Sequence, residues 1–316
     1  MKDLLKKAML YQYPGEIPVS VGVLPAAWLK YGNELKLLIS DYSDIFPDVP
    51  DLRIIEQEMQ ESYHYGSHTD EWGCVWENIR EGMESLVTGH PVKSRQDILS
   101  LKIPENLDGN LPHGFMYLRL LDLRGFEEAM IDFAEECDEL QILIDKVLEY
   151  NCRQIEVAMK KTDEIMYFGD DLGMQTGITI GAEKWRKYLK PCYKKMYSMA
   201  RAGGKLVYMH TDGKILDIMP DLMDCGVNMI NPQVRANGLE NLARICKGKI
   251  PINLDLDRQS FPFATPSQLD NHVRECVETL YLPEGGLGLY AEFNFDIPLQ
   301  NMAAILDALR KYKKGF

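Results

Sequence analysis

The sequence lacks the features that mark several classes of protein. Basic residues are scarce: 35 of 316 residues are Lys or Arg against 48 Asp or Glu, a formal net charge of −13, whereas a nucleic-acid partner requires a dense basic surface. No apolar run reaches the roughly 18 residues of a membrane span, and the charged residues 1–7 are not followed by an apolar signal region. We therefore expect a cytoplasmic protein that binds neither nucleic acid nor membrane.

Two further motifs are missing. The seven cysteines are odd in number and scattered, and they form no CxxC pair. We therefore expect reduced thiols that lie mostly in the core. No GxGxxG segment opens a strand-to-helix turn, which argues against a dinucleotide-binding open sheet.

Short apolar segments that alternate with helical patterns fill most of the chain. The five strand-and-helix units after residue 164 are uninterrupted, and each strand is apolar enough to be buried on both faces, as parallel strands are. This succession and the chain length favour a single (β/α)8 TIM barrel formed by residues 1–316. The predicted strands are 17–23, 114–121, 164–168, 205–209, 228–231, 250–254 and 288–291.

Polar side chains follow the predicted strands. Because every strand-to-helix loop of a barrel opens on the same face, these side chains are expected to share one site. A site that is rich in carboxylates and amides and poor in basic side chains favours a metal or a neutral or cationic small molecule over a phosphate-rich ligand. Any single member could instead cap the following helix. The candidates are Asp170, Asp171, His210, Asp212, Asn231, Gln233, Asn253, Asp255, Glu292 and Asn294, with Asp70, Glu71, His64, His68 and Arg119 from the N-terminal third.

The segment KLVYMHTDG, residues 205–213, is the most informative. It places His210 and Asp212 two residues apart just beyond an apolar strand, so that both side chains could point the same way. Such a pair can bind a divalent metal or transfer a proton. It can also do no more than tie down a loop.

Several segments resemble the uroporphyrinogen decarboxylase superfamily, and especially its branch of cobalamin-dependent methyltransferases. They are FGDDLGMQTGITIGAEKWRKYLKP, MHTDGKILDIMPDLMDCGVNMINPQ, INLDLDRQSFPFATPSQL and DIPLQNMAAIL, with DEWGCVWENIREGM and LDLRGFEEAMIDF nearer the N-terminus. The resemblance implies a single barrel whose site lies at the C-terminal ends of the strands.

Departures from the superfamily pattern bear on the reaction. The decarboxylases carry an arginine-bearing segment near the N-terminus that holds the many carboxylates of the substrate, but this chain has YQYPGEIPVSVG there, and its first arginine is Arg53. Burying carboxylates is costly when no cations are present to pair with them. The decarboxylation of a porphyrinogen is therefore the weaker interpretation.

The methyltransferase branch holds zinc with a histidine and a cysteine two residues apart and a second cysteine near the last strand. The resemblance places His210 at the first ligand, Asp212 at the second and Glu292 at the third. Because both thiolates are replaced by carboxylates, zinc remains the first choice but manganese or magnesium becomes an alternative.

The sequence thus predicts a methyltransferase-like enzyme that moves a methyl group between a corrinoid carried by a partner protein and a small acceptor. The alternatives are a decarboxylase or lyase that acts on a small carboxylated or tetrapyrrole-like substrate, and a barrel that binds a corrinoid without catalysis. The predicted roles are catalysis by Asp70, Glu71, Asp171 and Asp255, substrate binding by Asp170, Asn231, Gln233, Asn253 and Asn294, and metal binding by His210, Asp212 and Glu292.

Overall fold

The computed structural model describes residues 2–162 and 164–315. Parallel strands alternate with helices over most of this range. The strands are β1 (Val19–Val23), β2 (Gly66–Thr69), β3 (Val75–Asn78), β4 (Leu86–Gly89), β5 (Ile165–Gly169), β6 (Leu206–Thr211), β7 (Met229–Pro232), β8 (Ile252–Asp255) and β9 (Leu287–Phe293).

The helices are joined by a 3₁₀ turn (Glu61–Tyr63) and a π-helical turn (Trp185–Leu189). The α-helices are α1 (Lys2–Met9), α2 (Pro25–Ser40), α3 (Leu52–Glu58), α4 (Arg95–Ser100), α5 (Tyr117–Arg124), α6 (Phe126–Glu135), α7 (Asp138–Lys161), α8 (Ala182–Lys184), α9 (Lys190–Ala202), α10 (Met219–Asp224), α11 (Val234–Asn237), α12 (Leu239–Cys246), α13 (Pro266–Leu280) and α14 (Leu299–Tyr312).

The chain divides into two compact units. Unit 1 comprises the described residues of Met1–His68, Glu77–Leu86 and Gln233–Phe316. In it β9 pairs in parallel with β1, where Val19 lies opposite Leu289, and with β8, where Ile252 lies opposite Leu287. Helix α13 begins with a capping box in which Thr265 and Gln268 satisfy each other's backbone N–H groups.

Unit 2 comprises Thr69–Trp76 and the described residues of Val87–Pro232. Here β6 pairs in parallel with β5 and β7. The core beneath this sheet is aromatic: Phe168 lies 5.4 Å from Phe115 and 5.0 Å from Tyr197, measured between ring centroids. Such tilted and edge-on contacts add to the stabilisation that burial of the rings provides.

The predicted α/β architecture with parallel strands is confirmed. The strands predicted at 164–168, 205–209, 228–231, 250–254 and 288–291 correspond to β5 to β9. The continuous apolar character of these strands has the expected cause, because every residue of β7 and β8 is buried. Closure into an eight-stranded barrel and the assignment of residues 1–316 to one domain stay predictions.

The strand predicted at 114–121 is wrong, since this stretch enters helix α5 instead. The apolar residues of FMYLRLL fit either element, and short runs of this kind are ambiguous. The helix is selected by a distant residue: the Asp170 carboxylate accepts hydrogen bonds from the backbone N–H groups of Met116, Tyr117 and Leu118 at 2.5–3.2 Å. A cap supplied from more than 50 residues away leaves no local sequence signal.

The thiols and the helices agree with two further expectations. All seven cysteines are free, and all are buried except Cys137, which is half-buried. None of the helices within residues 2–162 and 164–315 combines the length and the hydropathy that crossing a membrane requires.

Candidate functional site

The histidine at the end of β6 is held by its neighbours on the sheet. Strand β6 extends two residues further than predicted, so His210 and Thr211 belong to it. His210 lies opposite Asn231 of β7, and its Nδ1 atom is 2.8 Å from the Asn231 Oδ1 atom. An amide oxygen only accepts, so Nδ1 carries the proton in this contact and Nε2 faces the other way. There Nε2 lies 3.2 Å from the Asp212 carboxylate, which confirms that His210 and Asp212 point the same way.

The loops that follow β5 and β6 are locked together by close backbone contact. Gly213 has φ +82°, and a Cβ atom there would overlap the backbone of Gly173. The backbone N–H of Asp212 donates to the Asp171 carboxylate at 3.1 Å, and that of Leu172 donates to the Thr211 hydroxyl at 3.1 Å. The glycine of MHTDG therefore does more than end a strand, because it lets the two polar loops lie against each other.

A second histidine joins this site from the loop before α5. His113 Nε2 lies 3.1 Å from the Asp171 carboxylate. The loop is tied to β5, because the Gly114 N–H donates to the Gly169 carbonyl at 2.8 Å. The ring also needs the space that a glycine leaves: a Cβ atom on Gly169 would lie 2.6 Å from His113 Nδ1.

These contacts gather a set of metal-ligand atoms. One ligand atom each from His113, Asp171 and His210 all lie within 4.8 Å of one another. Solvent reaches the cluster, since the His113 and Asp171 side chains are 38% and 31% exposed. His113 was not among the predicted site residues, because it lies just before the segment 114–121 that was interpreted as a strand and not after one. The Pro112 and Gly114 that flank it in LPHGF are signals for a loop.

The charges of the cluster shift the pKa values of its members. Burial lowers the pKa of His210, but the hydrogen bond with Asp212 and the negative charges of Asp212 and Asp171 outweigh it, so the pKa lies above the usual 6.5. For Asp171, burial raises the pKa, but the hydrogen bond with His113 and the nearby imidazoles hold it below the usual 3.8. The cluster thus favours an ionised Asp171 carboxylate beside a His210 imidazole of increased basicity.

Asp170, which was predicted to bind substrate, forms hydrogen bonds with groups of the protein itself. The residue is fully buried. Besides the three backbone N–H groups at the start of α5, the carboxylate accepts a hydrogen bond from the Tyr193 hydroxyl at 2.6 Å. Burial raises the pKa of Asp170, and the hydrogen bonds partly offset that rise. Its position connects β5 to α5 and leaves no oxygen directed at solvent.

Two predicted catalytic residues, Asp70 and Glu71, line a separate cleft in unit 2. The Asp70 carboxylate accepts from the Trp76 indole N–H and from Arg119, at 3.0 and 2.5 Å. Glu71 accepts from the Tyr150 hydroxyl at 2.9 Å. The cleft has a volume of about 470 Å³ including the space open to solvent. It is lined by Asp70, Glu71, Trp72, Asp108, Asn110, Pro112, Phe115, Arg119, Tyr150, Asn151 and Gln154.

The remaining predicted residues of the site belong to unit 1. Glu292, the third predicted metal ligand, accepts from Arg258 and from the Tyr290 hydroxyl, the latter at 3.1 Å. Asp255 is fully buried with Arg258 3.4 Å from its carboxylate. The predicted roles of these two residues stay predictions.

Three amide side chains predicted to bind substrate also lie in unit 1. Asn253 is buried, and its Nδ2 atom is 3.5 Å from the Ser20 hydroxyl. Asn294 accepts from the Phe295 N–H at 2.7 Å, and Gln233 forms a β-bridge with Asp255. These contacts place Asn294 in a loop-stabilising position and Asn253 away from solvent.

Comparison with known proteins shows a family relationship. The sequence profile of uroporphyrinogen decarboxylase (URO-D) matches residues 122–312, which is well over half of the chain. No curated protein sequence matches significantly.

Among solved structures, a methyltransferase from Methanosarcina mazei is similar over 98% of this chain and 98% of its own, with a TM-score of 0.64 and 14% sequence identity. At this identity the similarity shows the fold alone. Dihydropteroate synthase from Xanthomonas albilineans is 13% identical over 50% of this chain and 59% of its own, with a TM-score of 0.33. The 3-keto-D-glucoside 4-epimerase from E. coli is 11% identical over 71% of this chain and 95% of its own, also with a TM-score of 0.33. The last two are too distant to bear on the function.

Proposed function

Because the chain belongs to the uroporphyrinogen decarboxylase family, we propose that it is a methyltransferase-like enzyme of that family, which moves a methyl group between a corrinoid carried by a partner protein and a small acceptor. The similarity of its fold over 98% of the chain to the Methanosarcina mazei methyltransferase supports this choice. Family membership likewise supports a closed (β/α)8 barrel formed by residues 1–316.

The observation that carries the proposal is the cluster of imidazole and carboxylate groups at the ends of β5 and β6. The chemistry of these donors fits a divalent metal, with zinc as the first choice, since imidazole nitrogen and carboxylate oxygen are both zinc ligands. When bound, such an ion would act as a Lewis acid that makes an acceptor more nucleophilic. Around it, Asn231 orients the His210 ring, and the Asp212 carboxylate near Nε2 adds negative charge beside the site.

The cleft beside Asp70 and Glu71 supports a neutral or cationic small substrate. Glu71 and Asp108 lie on its wall, and Glu71 accepts a hydrogen bond from the Tyr150 hydroxyl. The cation among its described lining residues is Arg119, which is already paired with Asp70. The aromatic rings of Trp72 and Tyr150 pack edge to face with centroids 5.2 Å apart. Negative charge next to aromatic faces favours small organic cations over polycarboxylates.

A decarboxylase or lyase is the second candidate, and the raised pKa of His210 favours it. An imidazolium held between Asp212 and Asp171 could give its proton to a carbanion that forms when carbon dioxide leaves. A barrel that binds a corrinoid without catalysis is the third.

The test is an anaerobic assay with methylcobalamin as the methyl donor and a set of small thiols as acceptors. Transfer moves the methyl group to the thiolate sulfur and leaves the bonding electron pair on cobalt, so the visible spectrum of the corrinoid reports it. We expect turnover that His210→Ala abolishes and that His64→Ala, an exposed histidine paired with Glu81, does not change.

Parallel incubation with uroporphyrinogen separates the candidates. We expect no coproporphyrinogen, since the N-terminal segment lacks arginine. Robust conversion would overturn the proposal in favour of decarboxylation, and tight binding of methylcobalamin without transfer to any acceptor would favour the non-catalytic barrel.

A further inference from the structure

We infer that His113, Asp171 and His210 are the protein ligands of one first-row transition-metal ion. This set replaces Asp212 and Glu292, which the sequence comparison suggested, and brings in a residue from the loop before α5. The role of the ion rests on the proposed function, but its binding does not, because binding can be measured without any reaction.

The distances are close to those of a metal site. The three ligand atoms lie within 4.8 Å of one another, and His113 Nε2 is already 3.1 Å from the Asp171 carboxylate. An ion with metal–ligand bonds of about 2.0–2.2 Å in tetrahedral geometry separates its ligand atoms by about 3.3–3.6 Å. The ligand atoms therefore lie at most about 1.5 Å farther apart than in a bound tetrahedral site.

The two rings are prepared for this role by their surroundings. A metal-binding histidine usually gives the proton on its other ring nitrogen to an oxygen acceptor, which fixes the ring and makes the ligand nitrogen more basic. Buried Asn231 does this for His210. His113 occupies the space above Gly169, where any other residue would place a Cβ atom 2.6 Å from the ring. The centroids of the two rings lie 5.5 Å apart, so the two imidazoles are close neighbours.

The charge of the cluster also favours a cation. With neutral imidazoles, the carboxylates of Asp171 and Asp212 bring two negative charges to one small site, and a divalent ion would balance them. Asp212 lies 3.2 Å from His210 Nε2, so it can accept from a water molecule on the ion or move aside.

Glu292 is a poorer ligand than the sequence comparison suggests. Its carboxylate accepts hydrogen bonds from Arg258 and Tyr290. Charge-assisted bonds of this kind are among the stronger hydrogen bonds in proteins, and a metal would have to displace the guanidinium.

The donor set also indicates the class of metal. Magnesium and calcium prefer oxygen ligands, whereas two imidazoles with one carboxylate suit zinc, cobalt, iron and manganese. Three protein ligands leave at least one coordination position open, as in catalytic zinc sites. We therefore expect Zn²⁺ or Co²⁺ to bind and Mg²⁺ to bind far more weakly.

In the experiment, the metal-depleted protein is titrated with Co²⁺, and the visible absorption of the bound ion is measured. The binding of Zn²⁺ and Mg²⁺ is measured by calorimetry. We expect one equivalent of Co²⁺ or Zn²⁺ to bind. His113→Ala, Asp171→Asn and His210→Ala should each lower the affinity by on the order of 100-fold or more, since even partners of the ligands contribute 10–100-fold. The matched control His64→Ala should stay within about 3-fold. Glu292→Gln, which tests the ligand that this set replaces, should also stay within about 3-fold.

Three outcomes would overturn the inference. They are no Zn²⁺ or Co²⁺ binding by the wild-type protein, retention of full affinity in His113→Ala, and loss of affinity in Glu292→Gln. Circular dichroism checks that each variant is folded. If His113→Ala does not fold, His113→Gln keeps the volume and hydrogen-bonding capacity of the side chain and serves in its place. Metal binding without methyl transfer would refute the proposed function and leave this inference standing.

Discussion

The Asp170 carboxylate connects the start of α5 to the end of β5, and its replacement by asparagine tests this connection. The residue is fully buried, and it accepts from four donors: the N–H groups of Met116, Tyr117 and Leu118 and the hydroxyl of Tyr193. Asparagine has nearly the same shape, so Asp170→Asn changes the hydrogen bonds with little change in packing.

The expected loss of folding stability in Asp170→Asn follows from the number of hydrogen-bond donors that lose their acceptor. An amide has one carbonyl oxygen, which accepts at most two hydrogen bonds, and its NH₂ group would face donors in place of the second carboxylate oxygen. About two of the four donors at Asp170 therefore lose their acceptor. A buried donor without a partner costs about 1–3 kcal/mol, so we expect a loss of roughly 2–6 kcal/mol. Against a typical stability of about 5–15 kcal/mol this is a large fraction.

Thermal unfolding of the metal-free protein, followed by circular dichroism, measures this effect. At about 2 °C per kcal/mol for a chain of this size, the midpoint should fall by roughly 4–12 °C. Asp145→Asn is the matched control, because that exposed carboxylate accepts one hydrogen bond from Gln141, and a surface change of this kind stays within about 0.5 kcal/mol. Equal midpoints for Asp170→Asn and Asp145→Asn would refute the capping role.

Two further predictions concern the ends of β5 and β6. Gly213→Ala should lower the thermal midpoint more than Gly177→Ala, because a Cβ atom at Gly213 would overlap Gly173, whereas Gly177 faces open space; similar midpoints would contradict the close packing of the loops. In the metal-free protein, NMR titration should give His210 a pKa above 6.5, and Asp212→Asn should lower it. Since the folded-state pKa is raised, this interaction stabilises fully below about pH 6.5 and is lost as the pH rises through the folded-state pKa, so stability that increased over that interval would contradict the ion pair.

The histidine cluster illustrates how far local pattern can predict a site. KLVYMHTDG contains both the strand and its polar end, so the orientation of His210 and Asp212 followed from the alternation of side chains along a strand. His113 was not predictable in this way, because it enters the site from a loop 97 positions before His210 in the chain. Contacts such as the hydrogen bond between Gly114 and Gly169 bring that loop to β5.

Helix α5 shows where local sequence pattern fails to predict the structure. Its residues were interpreted as a strand, since apolar residues in a short segment satisfy both periodicities. The deciding interaction is the Asp170 cap, which forms only when β5 and the segment before α5 are already close together.

The sequence by itself determined the α/β class, the approximate positions of the later strands, the reduced state of the cysteines and the placement of His210 and Asp212 at one strand end. These properties depend on hydrophobic periodicity and on residues near in the chain. The tertiary structure decided that His113 joins the cluster, that Asp170 caps a helix and that Arg258 holds Glu292. Each of those outcomes is a contact between residues that are distant in the chain, and competing partners for a carboxylate are visible only once folding has placed them side by side.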